Sequence, residues 1–112
     1  MDEEYLETVL DLVETIPSGR VMTYGTIAEV VADALGRGGP RQVGHVLAKA
    51  GSGLPWWRVV NTSGNPPTAL RAQALRELRA EGCPLRGAGD EARVDLRRAL
   101  WWPADEPRRS PA

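Results

Sequence analysis

A chain of 112 residues with one cysteine and one histidine has room for a single modest core, and almost no material for a disulfide, a multi-cysteine metal site or histidine-based acid–base chemistry. No apolar run is long enough to span a bilayer and the first residues are acidic rather than leader-like, so a cytoplasmic protein without membrane contact or cofactor is expected. The net charge of −1 is unevenly spread: residues 1–16 carry six acids and no base, residues 17–67 five bases against two acids, and residues 68–112 nine arginines against seven acids, a distribution compatible with a polyanion partner.

Residues 3–16 have helical periodicity, with Leu6, Val9, Leu10 and Val13 as the expected inner stripe and acids between them. Pro17-Ser18-Gly19 ends that helix, and Arg20-Val21-Met22 crosses over in extended form. A second helix is predicted from Thr23-Tyr24-Gly25-Thr26 to about Leu35, capped by Thr23 or Thr26 and buried along Ile27, Val30, Val31 and Ala34. Gly36-Arg37-Gly38-Gly39 is a tight turn. Pro40 presets the first position of a third helix, Pro40–Ala50, which Gly51 ends. Val43, Val46 and Leu47 form its inner stripe, while Arg41, Gln42, His45 and Lys49 stay outside. Two short helices joined by a glycine turn, the second offering long polar side chains from its first turn, follow the helix-turn-helix pattern.

Leu54-Pro55-Trp56-Trp57-Arg58-Val59-Val60 then places two of the chain's six aromatic residues side by side. Pro55 stiffens the approach, and Arg58-Val59-Val60 reads as a short strand. Alternation along such a strand turns the two tryptophans to opposite sides, so at most one faces any given pocket. Taken alone, the pair reads as core and core edge. Asn61 to Pro67 is a turn-forming stretch suited to a wing. A fourth helix is predicted over Thr68–Glu81, with Leu70, Ala74, Leu75 and Leu78 inward and Gly82 at its end. Cys83-Pro84-Leu85 is extended, and Arg93-Val94-Asp95-Leu96 reads as a strand or the start of a last turn. Trp101-Trp102-Pro103 is expected to pack back on the core, and residues 106–112 to form a disordered tail after a single domain, 1–105.

Three ordered motifs carry a resemblance: Ile16 to Ala28 (Ile-Pro-Ser-Gly-Arg-Val-Met-Thr-Tyr-Gly-Thr-Ile-Ala), Arg41-Gln42-Val43-Gly44, and Pro55-Trp56-Trp57-Arg58-Val59-Val60. Together they resemble the DNA-binding domain of the O6-alkylguanine-DNA alkyltransferases over about residues 4 to 85. The resemblance implies a mainly α fold with a little β structure, a winged helix-turn-helix. The active enzymes carry Pro-Cys-His-Arg-Val, whose cysteine takes the alkyl group and whose histidine helps activate it. Here those two positions are Trp56 and Trp57, and an indole cannot replace a thiolate. Tryptophan at the cysteine position is the mark of the alkyltransferase-like proteins, many of which keep the histidine that Trp57 replaces here. Ala50 stands where the active enzymes have an asparagine, and the loop to the motif is shorter.

The resemblance therefore implies no catalytic residue and no metal. It implies a sensor that binds duplex DNA through the minor groove, flips O6-alkylguanine out of the stack and hands it to nucleotide excision repair proteins, acting as a monomer on chromosomal DNA. Tyr24 matches the tyrosine that presses on the target phosphate, and Arg41 the finger that fills the gap left by the flipped base. Thr23, Gly25, Gln42 and Gly44 complete the implied DNA contacts. Tyr24, Pro55 and Trp56 make the implied alkylguanine pocket, with Trp57 and Arg58 supporting the motif. Each has a plainer reading: Tyr24 stacked on the first helix, Arg41 solvated, Gly44 a helix-packing contact. Asn65-Pro66-Pro67 gives the wing no basic residue. Two other functions fit parts of the pattern, a winged-helix transcription regulator and alkyl transfer to Cys83, though no histidine or acid partner is placed to activate that thiol and no dimerisation helix is evident.

Overall fold

The computed structural model describes residues 3–50 and 53–103. Helix α1 (Glu3–Thr15) leads through the Pro17 turn to strand β1 (Met22–Thr23), then α2 (Tyr24–Leu35) and α3 (Pro40–Ala50). Strand β2 (Val59–Val60), α4 (Arg71–Ala80), a hairpin of β3 (Leu85–Arg86) and β4 (Arg93–Val94), and the short α5 (Leu96–Ala99) follow. The expected end of α3 at Gly51 and the tail at 106–112 lie outside the described residues.

The second and third helices form where the chain's own signals place them. Thr23 caps α2 in a reciprocal box: its hydroxyl accepts from the Thr26 amide at 3.0 Å, and its amide donates to the Thr26 hydroxyl at 2.9 Å. Gly36, left-handed at φ 76°, closes the helix, its amide donating to Ala32 at 2.7 Å. The inner stripes are rotated slightly from those expected. In α1 the buried row is Tyr5, Val9 and Val13, spaced four apart, and Leu6 and Leu10 flank it half-buried. In α2 the cap sets the phase so that Ile27, Ala28 and Val31 are buried, Val30 is half-buried and Ala34 is exposed. Val43 and Val46 of α3 complete this three-helix core with Ile16, Met22, Val59 and Trp101. Each such aliphatic side chain contributes about 1.5–3 kcal/mol by burial.

Two pairings fix the rest. β1 and β2 run parallel, Met22 opposite Val59 and Thr23 opposite Val60. Val21 bridges Leu100 and exchanges bonds with Ala99 and Trp101 at 3.0 and 2.8 Å, so the C-terminal stretch packs back as expected. A second apolar cluster of Val21, Val60, Leu78, Cys83, Val94 and Ala99 lies beneath this seam.

Two expectations change. The tryptophans do not enter a strand: Trp56–Arg58 is a single 3-10 helical turn, and only Val59–Val60 is strand. The expected fourth helix is split, because Thr68–Leu70 forms its own 3-10 turn after Pro66-Pro67 and leaves Leu70 45% exposed rather than inward. Residues 61–67 form a closed loop. The Asn61 side-chain oxygen accepts from the Ser63 and Asn65 amides, each at 2.9 Å. Gly64, at φ 85°, lies so close to β4 that a Cβ there would meet the Val94 carbonyl at 2.3 Å.

Candidate nucleic-acid interface

The β1–β2 register is what assembles the site. It sets Thr23, the residue before α2, beside Val60, the strand that leaves the tryptophan turn, so that Tyr24 and Trp56 open onto one cleft. The cleft has a volume of about 400 Å3 and is walled by Tyr24 and Trp56, by Gly44, Leu47 and Ala48 of α3, and by Pro67, Leu70 and Gln73 across the gap. Tyr24 is half-buried against the core, and its hydroxyl has no hydrogen-bond partner among the described residues. Burial pushes its phenol above the ordinary value, so at neutral pH the group is a proton-bearing donor.

The remaining predicted residues divide. Thr23 is 5% exposed with its hydroxyl committed to the cap, so it positions the start of α2. Gly44 meets nothing: a Cβ built on it has no atom within 4 Å, which removes the helix-packing explanation. Gly25 is equally undemanding, its Cβ reaching only the Thr23 hydroxyl at 3.7 Å. Pro55 does not line the cleft. It lies on a separate depression with Glu14, Gly53, Leu54 and the tryptophan turn, where its carbonyl accepts from the Arg58 amide at 3.0 Å and so shapes the turn.

Arg41 is exposed on the first turn of α3, and its guanidinium makes no ion pair or hydrogen bond to another described residue. Gln42 is also exposed, but its side-chain oxygen accepts from the Gly39 amide at 3.1 Å and closes the start of α3. Arg41 shares a second depression with Arg37, His45 and Lys49, which makes this flank of α3 basic. Gly38 pins that helix start to α1. Its φ is +101°, and a Cβ would stand 2.3 Å from the Tyr5 ring.

Behind the cleft, Trp57 meets Trp56 edge to face, with ring centroids 5.8 Å apart and planes at 82°. Its indole N–H donates to a Glu81 carboxylate oxygen at 2.8 Å. Arg58 grips the same carboxylate, Nη2 to Oε2 at 2.6 Å and Nε at 3.1 Å, while Nη1 donates to the Ile16 carbonyl at 2.8 Å. The Gly19 amide adds a further bond at 2.9 Å. One carboxylate thus ties the tryptophan turn to the end of α1. Burial raises the Glu81 pKa, but the bonds from Arg58, Gly19 and Trp57 outweigh it and hold the carboxyl below its ordinary value.

The sequence profile described as 6-O-methylguanine DNA methyltransferase, DNA binding domain, matches residues 4–83. The chain belongs to this family. It is 37% identical over 107 residues to the DNA base-flipping protein of Escherichia coli, covering 89% of this chain and 76% of that protein. It is 33% identical over 107 residues to the DNA base-flipping protein of Vibrio parahaemolyticus, covering 90% and 99%. The crystal structure of S. pombe Atl1 in complex with damaged DNA containing O6-carboxymethylguanine matches with a TM-score of 0.75 at 29% identity, covering 92% of this chain and 99% of that one. These likenesses make the chain an alkyltransferase-like member of the family, with the mainly helical fold of its DNA-binding domain.

In this alkyltransferase-like chain the lone thiol is remote from the cleft. Cys83 is 6% exposed in the second apolar cluster, and burial, with Glu81 nearby, pushes its pKa up to about 11. At pH 7 about one molecule in ten thousand carries the thiolate there. Leu47, Ala48, Pro67, Leu70 and Gln73 of the lining, and Glu81 behind it, escape a reading of the sequence. Leu70 has the spacing of the α4 stripe, which points it inward. Glu81 does carry a signal: an acid at the C-terminal end of a helix opposes the dipole and calls for a cation from elsewhere.

Proposed function

We propose that this protein is a non-enzymatic sensor of alkylated DNA. It binds duplex DNA through the minor groove, turns an O6-alkylguanine out of the stack into the Tyr24–Trp56 cleft, and leaves it for nucleotide excision repair. The observation that carries this reading is an indole, Trp56, in the wall of an open cleft; the motif resemblance puts it where the active enzymes hold their nucleophile. An indole gives a flipped base a stacking face and an alkyl group an apolar contact, so binding survives where transfer does not. The relatives' description as base-flipping proteins and the damaged DNA bound by Atl1 support it. A binder that leaves the lesion intact needs another system to remove it, which is the place of excision repair in this scheme.

The parts have distinct tasks. Small residues, Gly44 and Ala48, line the cleft along α3, so its backbone can enter a minor groove only about 6 Å wide. The Tyr24 hydroxyl and the first amides of α2 hold a phosphate beside the target and rotate it outward. Arg41 fills the vacated place, where its planar guanidinium stacks and bonds to the orphaned base. Flipping costs a few kcal/mol of lost stacking and pairing, and these contacts must return it.

The direct test is Arg41→Ala. Its affinity for an O6-methylguanine duplex is expected to fall about tenfold or more, the loss of about 1.4 kcal/mol or more of gap filling, with a smaller loss on unmodified duplex. Equal losses on both would reduce Arg41 to a phosphate contact. Intact mass after incubation with methylated DNA is expected to be unchanged, and an added methyl group would overturn the non-enzymatic reading.

Gly44→Ala separates fold from function. With no atom near its Cβ, the variant should be more stable by up to about 1 kcal/mol, the usual helical gain over glycine. Its DNA affinity should nevertheless fall, because the added methyl stands between α3 and the groove. Unchanged affinity in a more stable protein would show that α3 does not approach DNA at this point.

A further inference from the structure

The β3–β4 hairpin and α5 gather charge that the cleft does not use. Arg86 and Arg93 are directly opposed across the antiparallel pair. Arg97 and Arg98 follow on α5, and the four side chains line two adjoining depressions. All four residues are exposed, and none of the guanidiniums has an ion pair or hydrogen bond among the described residues. Asp95 is the one carboxylate lining either depression, which leaves four positive groups against one negative. Like charges directly opposite on a two-stranded ribbon are destabilising. Asp95 alone offsets this opposition within the described fold, so the surface keeps an excess of positive charge suited to an anion.

The neighbouring loop says which anion. Thr62 and Ser63 line the same depression as Arg93 and Arg97, and Pro67, at the other end of that loop, forms the lip of the cleft. The loop is clamped, not slack. The Val94 amide donates to the Gly64 carbonyl at 2.8 Å. Arg71 joins the Asn65 side chain at 2.9 Å to the Ala92 carbonyl at 2.6 Å. Four Cα–Cα steps lead from Ser63 to Pro67, so the edge of the arginine-lined depression at Ser63 lies no more than about 14 Å from the cleft lip. That distance is about four base-pair rises of 3.4 Å. Guanidiniums beside threonine and serine hydroxyls are the groups that recognise phosphate.

We propose that the Arg86, Arg93, Arg97 and Arg98 surface is a second phosphate-backbone clamp, holding the same duplex a few nucleotides from the flipped base. It rests on the reading of the chain as a duplex-DNA binder. The clamp supplies affinity without lesion preference, and it explains how a chain of net charge −1 holds a polyanion: six acids are concentrated in the first sixteen residues, while Arg41 and Lys49 on the flank of α3 and the four arginines of this surface lie away from them.

The test is the double variant Arg93→Gln/Arg97→Gln, titrated with O6-methylguanine and unmodified duplexes of 20 or so base pairs over a range of salt. With two phosphates no longer neutralised, the slope of log affinity against log salt should flatten by about 1.8, at about 0.9 per phosphate. From 50 to 200 mM salt, wild type should therefore lose about twelvefold more affinity than the variant. The ratio of lesion to unmodified binding should not change, and the melting temperature should hold or rise as the cross-strand repulsion is relieved. An unchanged slope overturns the clamp and leaves the surface to an acidic protein segment. Wild-type protein that binds both duplexes equally contradicts the lesion sensor, yet the slope comparison still decides the clamp. Wild-type protein that binds neither overturns both.

Discussion

Trp56→Ala is expected to lose about 10- to 100-fold in affinity for O6-alkylguanine duplex while binding unmodified duplex almost as wild type does. The range follows from base–aromatic stacking, worth about 1–3 kcal/mol per base. The indole forms a wall of the cleft, whereas in the proposed binding mode an unmodified duplex meets the basic surfaces outside it. Trp56 is half-buried and lies outside both apolar clusters, so the fold should survive its truncation. Replacing the same residue by cysteine should not create an alkyltransferase. Trp57 behind it has a single N–H, already given to Glu81, and an indole that donates a hydrogen bond cannot take the thiol proton. Competition binding and intact-mass measurement on the two variants check both statements. Methyl transfer to Trp56→Cys would show that the role assigned to Trp57 is wrong.

Glu81→Gln is expected to produce the largest loss of stability of any substitution near the site. The Arg58 and Glu81 side chains are 17% and 11% exposed, and the carboxylate takes bonds from Arg58, Trp57 and Gly19 at once. Removing its charge leaves a largely buried guanidinium uncompensated, which costs about 3 kcal/mol, the low end for buried pairs because some exposure remains. In a domain of this size that lowers the melting temperature by about 15 °C. The effect should depend on pH in one direction. The folded carboxyl titrates below its ordinary value of 4.5, so its contribution is complete above that pH and is lost as pH falls through the folded value. Thermal melts at neutral pH and at about pH 3 should therefore show the gap between wild type and variant closing on the acid side. A gap that is absent at neutral pH would remove Glu81 from its central place.

How much of this is legible in the chain can be judged element by element. The α2–α3 unit is, because its boundaries are set by local chemistry: the Thr23 cap, the Gly36 stop and Pro40 at the first turn act within a few residues. The cleft's two aromatic walls are also legible, since Tyr24 and Trp56 lie within recognisable motifs. What the chain hides depends on contacts distant in sequence or on elements too short to show a period. Three residues of 3-10 helix leave no alternation or helical stripe to read, so the tryptophan turn reads as the start of a strand. Leu70 follows the α4 spacing and only the break after Pro67 turns it to the cleft. Family resemblance gives Thr23 to DNA, whereas its hydroxyl is consumed by the cap. The Glu81 hub joins residues up to 62 positions apart, and two-residue strands such as β3 and β4 are defined by their pairing rather than by their sequence.

The central claim is that the Tyr24–Trp56 cleft receives a flipped O6-alkylguanine. Its most direct test is the affinity of wild-type protein, at physiological salt, for otherwise identical duplexes carrying guanine, O6-methylguanine or a larger O6-alkylguanine at one site. The account predicts tighter binding to both alkylated duplexes, with the preference lost in Trp56→Ala. Equal affinity for all three duplexes would contradict it.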